Sequence, residues 1–190
     1  MKLKEELTDQ TIKLRRPLFT DKAEIVRAVQ RSVREISPWM GWCHADYDAS
    51  DALGWLETAQ KGWEQGSEYN FVIIDGDLGE IIGGCGLNQI NSLFRFANLG
   101  YWVRSDRAGE GIAVRAVHLL ARFGFEDLGF NRLEIVVAEG NRRSIRVAEK
   151  SGATLEGLLR NRLVVRDKFL DAFMFSLIPT DLEKKNEKQS

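Results

Sequence analysis

The stretch Leu99-Gly100-Tyr101-Trp102-Val103-Arg104-Ser105-Asp106-Arg107-Ala108-Gly109-Glu110-Gly111-Ile112-Ala113 decides the fold. Leu99 to Val103 reads as a short apolar strand, and Arg104 to Arg107 as a polar turn. Two glycines follow, and an apolar-periodic segment begins directly after them. A strand emptying through a glycine loop into a helix start is how a backbone builds an anion hole. The glycines turn the chain with N–H groups exposed, and the first helical turn adds unpaired amides and the positive end of its dipole. Plain tight turns use the same residues, so the loop alone does not name a ligand.

On the C-terminal side, Ala113, Ala116, Val117, Leu120 and Gly124 recur at helical spacing and predict a helix from Gly111 to about Asp127. Leu133 to Val137 is a buried strand, Ser144 to Ser151 a helix closed by Gly152, and strands near 155–161 and 170–177 finish the order. On the N-terminal side, Ile12 and Leu14 alternate with polar residues as a strand ended by Pro17. Thr20 or Asp21 then caps a helix that buries Ile25 and Val29, and Ser50 or Asp51 starts a second helix carrying Trp55 and Trp63. Ser37 to Trp42 breaks the period and reads as an ordered aromatic loop. Tyr69–Asp75 and Glu80–Asn88 flank the hairpin signal Asp75-Gly76-Asp77-Leu78-Gly79, and Phe96–Val103 is the next strand. The order β-α-α-β-β-β-α-β-α-β-β fits one α/β domain, a single mixed β-sheet flanked by helices.

Composition agrees. The 190 residues suffice for one domain with a substantial core. A hydrophobic content of 44% argues against disorder, and a net charge of −1 against a general nucleic-acid binder. Cys43 and Cys85 lack metal-type spacing, and His44 lacks the partners of a metal site, so no metal is expected. No apolar run approaches a membrane span, because Phe71-Val72-Ile73-Ile74 is stopped by Asp75-Gly76-Asp77. The N-terminus is charged rather than signal-like, and a cytoplasmic protein is expected. The polar stretch 180–190 is expected to fray.

Further motifs narrow the function. Asn141-Arg142-Arg143-Ser144 opens one helix, Glu149-Lys150-Ser151-Gly152 closes it, and Leu155-Glu156-Gly157 begins the next strand. Together with the glycine loop these residues resemble the GNAT superfamily of acyl-CoA N-acyltransferases, in its branch of ribosomal-protein N-terminal (alanine or serine) acetyltransferases. That branch shows a G-x-G-[IA]-A loop, an N-x-x-S helix start, an E-K-x-G helix end and an E-G strand, and all four stand here in register. Ser37-Pro38-Trp39-Met40 and Leu170-Asp171-Ala172 extend the likeness over most of the chain. One position departs from it: Ala108 stands where the superfamily usually has Gln or Arg. Any side-chain contact from that position is thereby lost, whereas the amide cradle survives.

The resemblance implies acetyl-CoA as co-substrate and a transferase domain over residues 1–178, followed by a polar tail, 179–190. Its pyrophosphate site would be Arg107, Ala108, Gly109, Glu110, Gly111, Ile112 and Ala113, with Arg104 nearby as added charge. The pantetheine arm would lie along Tyr101, Trp102 and Val103, between strands that splay apart, and would meet Asn141. Ser144 would lie near the sulfur and protonate the departing thiolate. Glu156 is the general base that the resemblance favours, with Glu134 on the neighbouring strand in reserve. The Trp39-Met40-Gly41-Trp42 loop either lines the acceptor site or lids the core. His44 and His118 receive no catalytic role.

Two classes of function remain open at this level. One is an N-acetyltransferase acting on a primary amine, first of all the N-terminal α-amine of a ribosomal protein and otherwise a small amine such as an amino acid, polyamine or drug. The other is a non-catalytic acyl-CoA sensor. The resemblance allows a homodimer, and neither a membrane nor a nucleic acid is an expected partner.

Overall fold

Leu99 and Tyr101 join the core on one side of the sheet and Trp102 the core on the other, as the two-residue period of a strand requires. The computed structural model describes residues 3–186. Its strands are β1 (Glu6–Thr8), β2 (Ile12–Arg15), β3 (Tyr69–Asp75), β4 (Ile81–Asn91), β5 (Phe96–Val103), β6 (Arg132–Ala138), β7 (Thr154–Val165) and β8 (Lys168–Leu177). They form one sheet in the order β1-β2-β3-β4-β5-β6-β8-β7. Only the β5–β6 pair is parallel.

That parallel pair is also the shortest central ladder. It joins Phe96, Ala97 and Asn98 to Arg132, Leu133 and Glu134, then stops. β5 nevertheless stays paired to β4 as far as Val103, and β6 to β8 as far as Ala138. The sheet therefore opens as a V beyond Asn98 and Glu134. Four to five residues of each strand, ~13–17 Å, face the gap without a partner across it.

Helices α1 (Lys22–Gln30), α2 (Val33–Ile36) and α3 (Ala49–Gln65) precede β3, α4 (Ile112–Arg122) and α5 (Arg142–Lys150) flank β6, and α6 (Pro179–Asn186) follows β8. α4 buries Ile112, Ala116, Val117 and Leu120 in the larger core, against Leu87, Leu99, Leu133 and Ile135. The smaller core takes Ile25 and Val29 of α1, Ala52 and Leu56 of α3, and Val72 of the sheet. Asp48 caps α3, accepting from the backbone N–H groups of Ser50 and Asp51, and Gly66 ends the helix at φ 66°.

Several expectations change. The cap of α3 is Asp48, two residues before the expected start, because Asp48 and Asp51 form a reciprocal capping box. The central helix is α-helical only to Arg122 and continues as a π-type turn over Phe123–Asp127, where Leu128 N–H donates to Phe123 O. β1 was not expected from the charged N-terminus; it pairs with β2 at the edge of the sheet. Residues 179–186 form α6, and Leu182 packs on the larger core. Residues 187–190 lie outside the described part.

Candidate active site

The glycine loop closes the mouth of the V. Gly109 (φ 95°) and Gly111 (φ 81°) both have left-handed backbone, and a Cβ on either would meet nothing within 4 Å. Their need for glycine is thus conformational, and the space beside them is open. Gly111 is also the N-cap of α4 and offers no capping side chain, and the first turn of α4 holds no acidic residue. The first turn of this eleven-residue helix, without a side-chain cap, therefore lines a cavity.

That cavity, of about 440 Å³, is lined by Tyr101, Trp102 and Val103 of β5, by Arg107, Ala108, Gly109, Gly111, Ile112 and Ala113, and by Asn141 and Ser144. These are the residues the sequence assigns to one ligand, with one exception. Glu110 does not line the cavity; its carboxylate accepts from Arg107 Nε at 2.9 and 3.0 Å. Arg107 is further tied to Asp75 at 2.7 Å, so its charge is already countered, and these partners push its pKa upward. The β3–β4 hairpin thereby anchors the glycine loop. Arg104 is buried and paired with Asp106 and Glu80, and it does not line the cavity: it holds the fold, contrary to the expectation of spare charge.

Spare positive charge comes instead from α5. Arg143, Arg146 and Lys150 line the same cavity, against one acid, Glu35. Their spacing of three and four puts them on one helix face, a signal present in the sequence although Arg143 and Lys150 stand there only within the motifs that open and close the helix. Asn141 Oδ1 accepts from Ser144 N–H at 3.2 Å and caps α5. Tyr101 Oη lies 2.9 Å from Ser144 Oγ, bridging β5 to α5. Burial, chiefly, pushes the Tyr101 phenol up to about 12, so it keeps its proton at neutral pH.

A second cavity, of about 590 Å³, lies on the other face of the same strand end, and Met40, Tyr101 and Trp102 line both. Its walls include Trp42 of the aromatic loop, His44 and Tyr47 just after it, Asp51 and Trp55 of α3, and Glu68. Gly84, Gly86 and Gly100 contribute to its floor. A Cβ on Gly86 would collide with Asn70 Oδ1, and one on Gly84 with the Trp102 indole nitrogen. Met40 and Trp42 of the aromatic loop line this cavity, and Trp42 packs edge-on against both Trp102 and Tyr47, at 5.8 and 6.0 Å.

Glu156 lines neither cavity. Arg132 donates to both of its oxygens, at 2.7 and 2.6 Å, and Ser176 Oγ donates at 2.7 Å. The Arg132 bonds first, then Ser176, lower its pKa to about 2. A carboxylate so held is a poor acceptor for an amine proton, and Glu156 stands apart from the residues that the two cavities bring together. Glu134 accepts from Arg132 Nε at 2.9 Å and lines neither cavity as well. His118 is structural, one ring nitrogen lying 3.1 Å from Ser151 O.

Comparison with known proteins decides the family. The sequence profile of the acetyltransferase (GNAT) domain matches residues 11–154. The chain belongs to the GNAT acetyltransferases. It is 33% identical over 131 residues to the "Uncharacterized N-acetyltransferase p20" of Bacillus licheniformis, covering 69% of this chain and 74% of that one. It is 29% identical over 115 residues to the ribosomal-protein-serine acetyltransferase of Escherichia coli K12, covering 60% and 63%. The fold is also that of Mycobacterium smegmatis RimJ, solved in complex with CoA-disulfide, with a TM-score of 0.83 at 24% identity, covering 93% of this chain and 87% of that one.

GNAT acetyltransferases use acetyl-CoA, and the first cavity fits that molecule chemically. Its open left-handed glycines and uncapped helix start suit a pyrophosphate, and Arg143, Arg146 and Lys150 suit further phosphate charge. The unpaired edges of β5 and β6 suit an amide-bearing arm. The GNAT side chain lost at Ala108 leaves this cradle intact, because the cradle is made of backbone. Among the described residues, no helix is long and apolar enough to cross a membrane.

Proposed function

We propose that this GNAT enzyme acetylates the N-terminal α-amine of a protein, with ribosomal proteins as the acceptor class named among its relatives. One observation carries the reading: two cavities of opposite charge meet at Met40, Tyr101 and Trp102. The basic one suits the polyanionic donor. The other is lined by Asp51 and Glu68 and by no Lys or Arg among the described residues, which suits an ammonium. Both reactants would thus reach the end of β5 from opposite sides, the positioning on which direct transfer depends.

Gly109, Gly111 and the first turn of α4 hold the pyrophosphate, and Asn141 contacts the pantetheine arm. Backbone N–H groups of β5 facing the gap stabilise the developing oxyanion. Ser144, hydrogen-bonded to the protonated Tyr101 phenol, returns a proton toward the sulfur. The same reading sets the enzyme in the cytoplasm and leaves room for a homodimer.

An acetyl-CoA turnover assay against peptide N-termini and small amines tests it, alongside thermal melts with coenzyme A. Acetylated peptides and a raised melting temperature are expected. Turnover of small amines alone would move the acceptor class. Coenzyme A binding with no turnover would favour the sensor, and no binding would end the reading.

A further inference from the structure

The reaction needs a group that takes a proton from the incoming ammonium, and Glu156 and Glu134 are both tied to Arg132, away from the acceptor cavity. The titratable groups lining that cavity are His44, Tyr47, Asp51, Glu68, Cys85 and Tyr101. Tyr47 and Tyr101 are pushed up to about 12 and Cys85 further still, chiefly by burial, so all three stay protonated at neutral pH. Glu68 lies along Gly62 of α3, where a Cβ would collide with its side chain. Asp51 Oδ2 already accepts from the backbone N–H of Asp48 in the capping box.

His44 differs from these. Its Nε2 lies 3.4 Å from Asp51 Oδ2, and its ring packs 5.9 Å from Tyr47. Tyr47, Trp42 and Trp102 then form a file of rings leading to the strand end shared with the donor cavity. The side chain is 43% exposed, so a proton it takes can leave to water. A carboxylate facing one imidazole nitrogen orients the ring and stabilises its cation, leaving the other nitrogen for the proton.

Resting on the reading of the cavity as the acceptor site, we propose that His44, oriented by Asp51, is the base that receives the acceptor amine's proton, relayed along the cavity by water. The ammonium gives one proton to His44, and its freed electron pair forms the C–N bond to the acetyl carbonyl carbon. The C–S bond then breaks with its electron pair going to sulfur. The second N–H proton passes to that sulfur by way of Ser144, giving the amide and a free thiol. His44 releases its proton to solvent.

The test compares the parent with His44→Gln, His44→Ala and Asp51→Asn in acetyl-CoA turnover on a peptide amine that the parent accepts. His44→Gln should lower kcat by ~10²–10⁴-fold with KM for the donor unchanged, and Asp51→Asn by less. Coenzyme A binding and thermal melts check that each variant folds. Added imidazole should restore His44→Ala by at least about tenfold and leave the parent unchanged, a readout that a purely structural histidine would not move. Full kcat in folded His44→Gln, or a loss in His44→Ala that imidazole does not repair, overturns the inference while the acetyltransferase reading stands. No turnover of any amine by the parent overturns both.

Discussion

The two cavities share a wall and differ in almost everything else. The cavity proposed for the donor is built from backbone: left-handed glycines, an uncapped helix start and unpaired strand edges, with basic side chains from α5 added. The cavity proposed for the acceptor is built from side chains, chiefly aromatic rings and two carboxylates over strand glycines. A pyrophosphate can be held by amides that any sequence supplies, provided the chain turns correctly. An acceptor has no such generic handle, so its site must be written in residues that differ from one enzyme to the next.

The sharpest way to break this contrast is Gly111→Trp. A tryptophan at φ 81° is strained, and its ring would fill the space in front of the α4 amides. Coenzyme A affinity, read by calorimetry, should fall by at least about 100-fold, or ~2.7 kcal/mol. Unchanged affinity in a folded variant would remove the loop from the site.

Charge gives the next effect. Arg143→Glu combined with Arg146→Glu should weaken coenzyme A binding by about tenfold, and more at low salt than at high salt, while KM for the amine stays put. Glu68→Gln should do the reverse, raising the amine KM by a few-fold with coenzyme A binding unmoved. Crossed effects would mean that the two cavities do not divide the reactants as drawn.

The same contrast explains what could be read in the sequence. The strand, glycine loop and helix start from Leu99 to Ala113 form a local pattern, and Phe96–Val103 stands with the predicted bounds. Asn141 and Ser144 stand at the cavity for the same reason, being cap and first-turn residues of one helix. Besides their local partners Asp106 and Glu110, Arg104 and Arg107 are tied to Glu80 and Asp75, far back along the chain, which no local pattern reveals. The surroundings of Glu156 are hidden because a motif fixes a residue's place on a strand but not the arginine that reaches it from β6, across the intervening β8. His44 stands beside Cys43 without the spacing of any known site in sequence; the α3 capping box, by holding Asp51 in place, gives it a carboxylate partner.

Glu156→Gln carries the smallest expected effect and the most direct check on the base. Because the residue lies outside both cavities, kcat and both KM values should change by no more than about twofold, against the ~10²–10⁴-fold of a lost general base. Its effect should instead fall on stability. The folded-state pKa is lowered to about 2 from an ordinary 4.5, so this carboxylate stabilises the fold above pH 4.5 and that contribution fades as pH falls toward 2. With its side chain 40% exposed, the ion pair with Arg132 contributes on the order of 1 kcal/mol after screening. The variant should therefore melt slightly below the parent at pH 7, and the two should converge as the pH is lowered from 4.5 toward 2. A hundredfold loss of kcat in Glu156→Gln, with its melt unchanged, would return the base to β7 and take the role from His44.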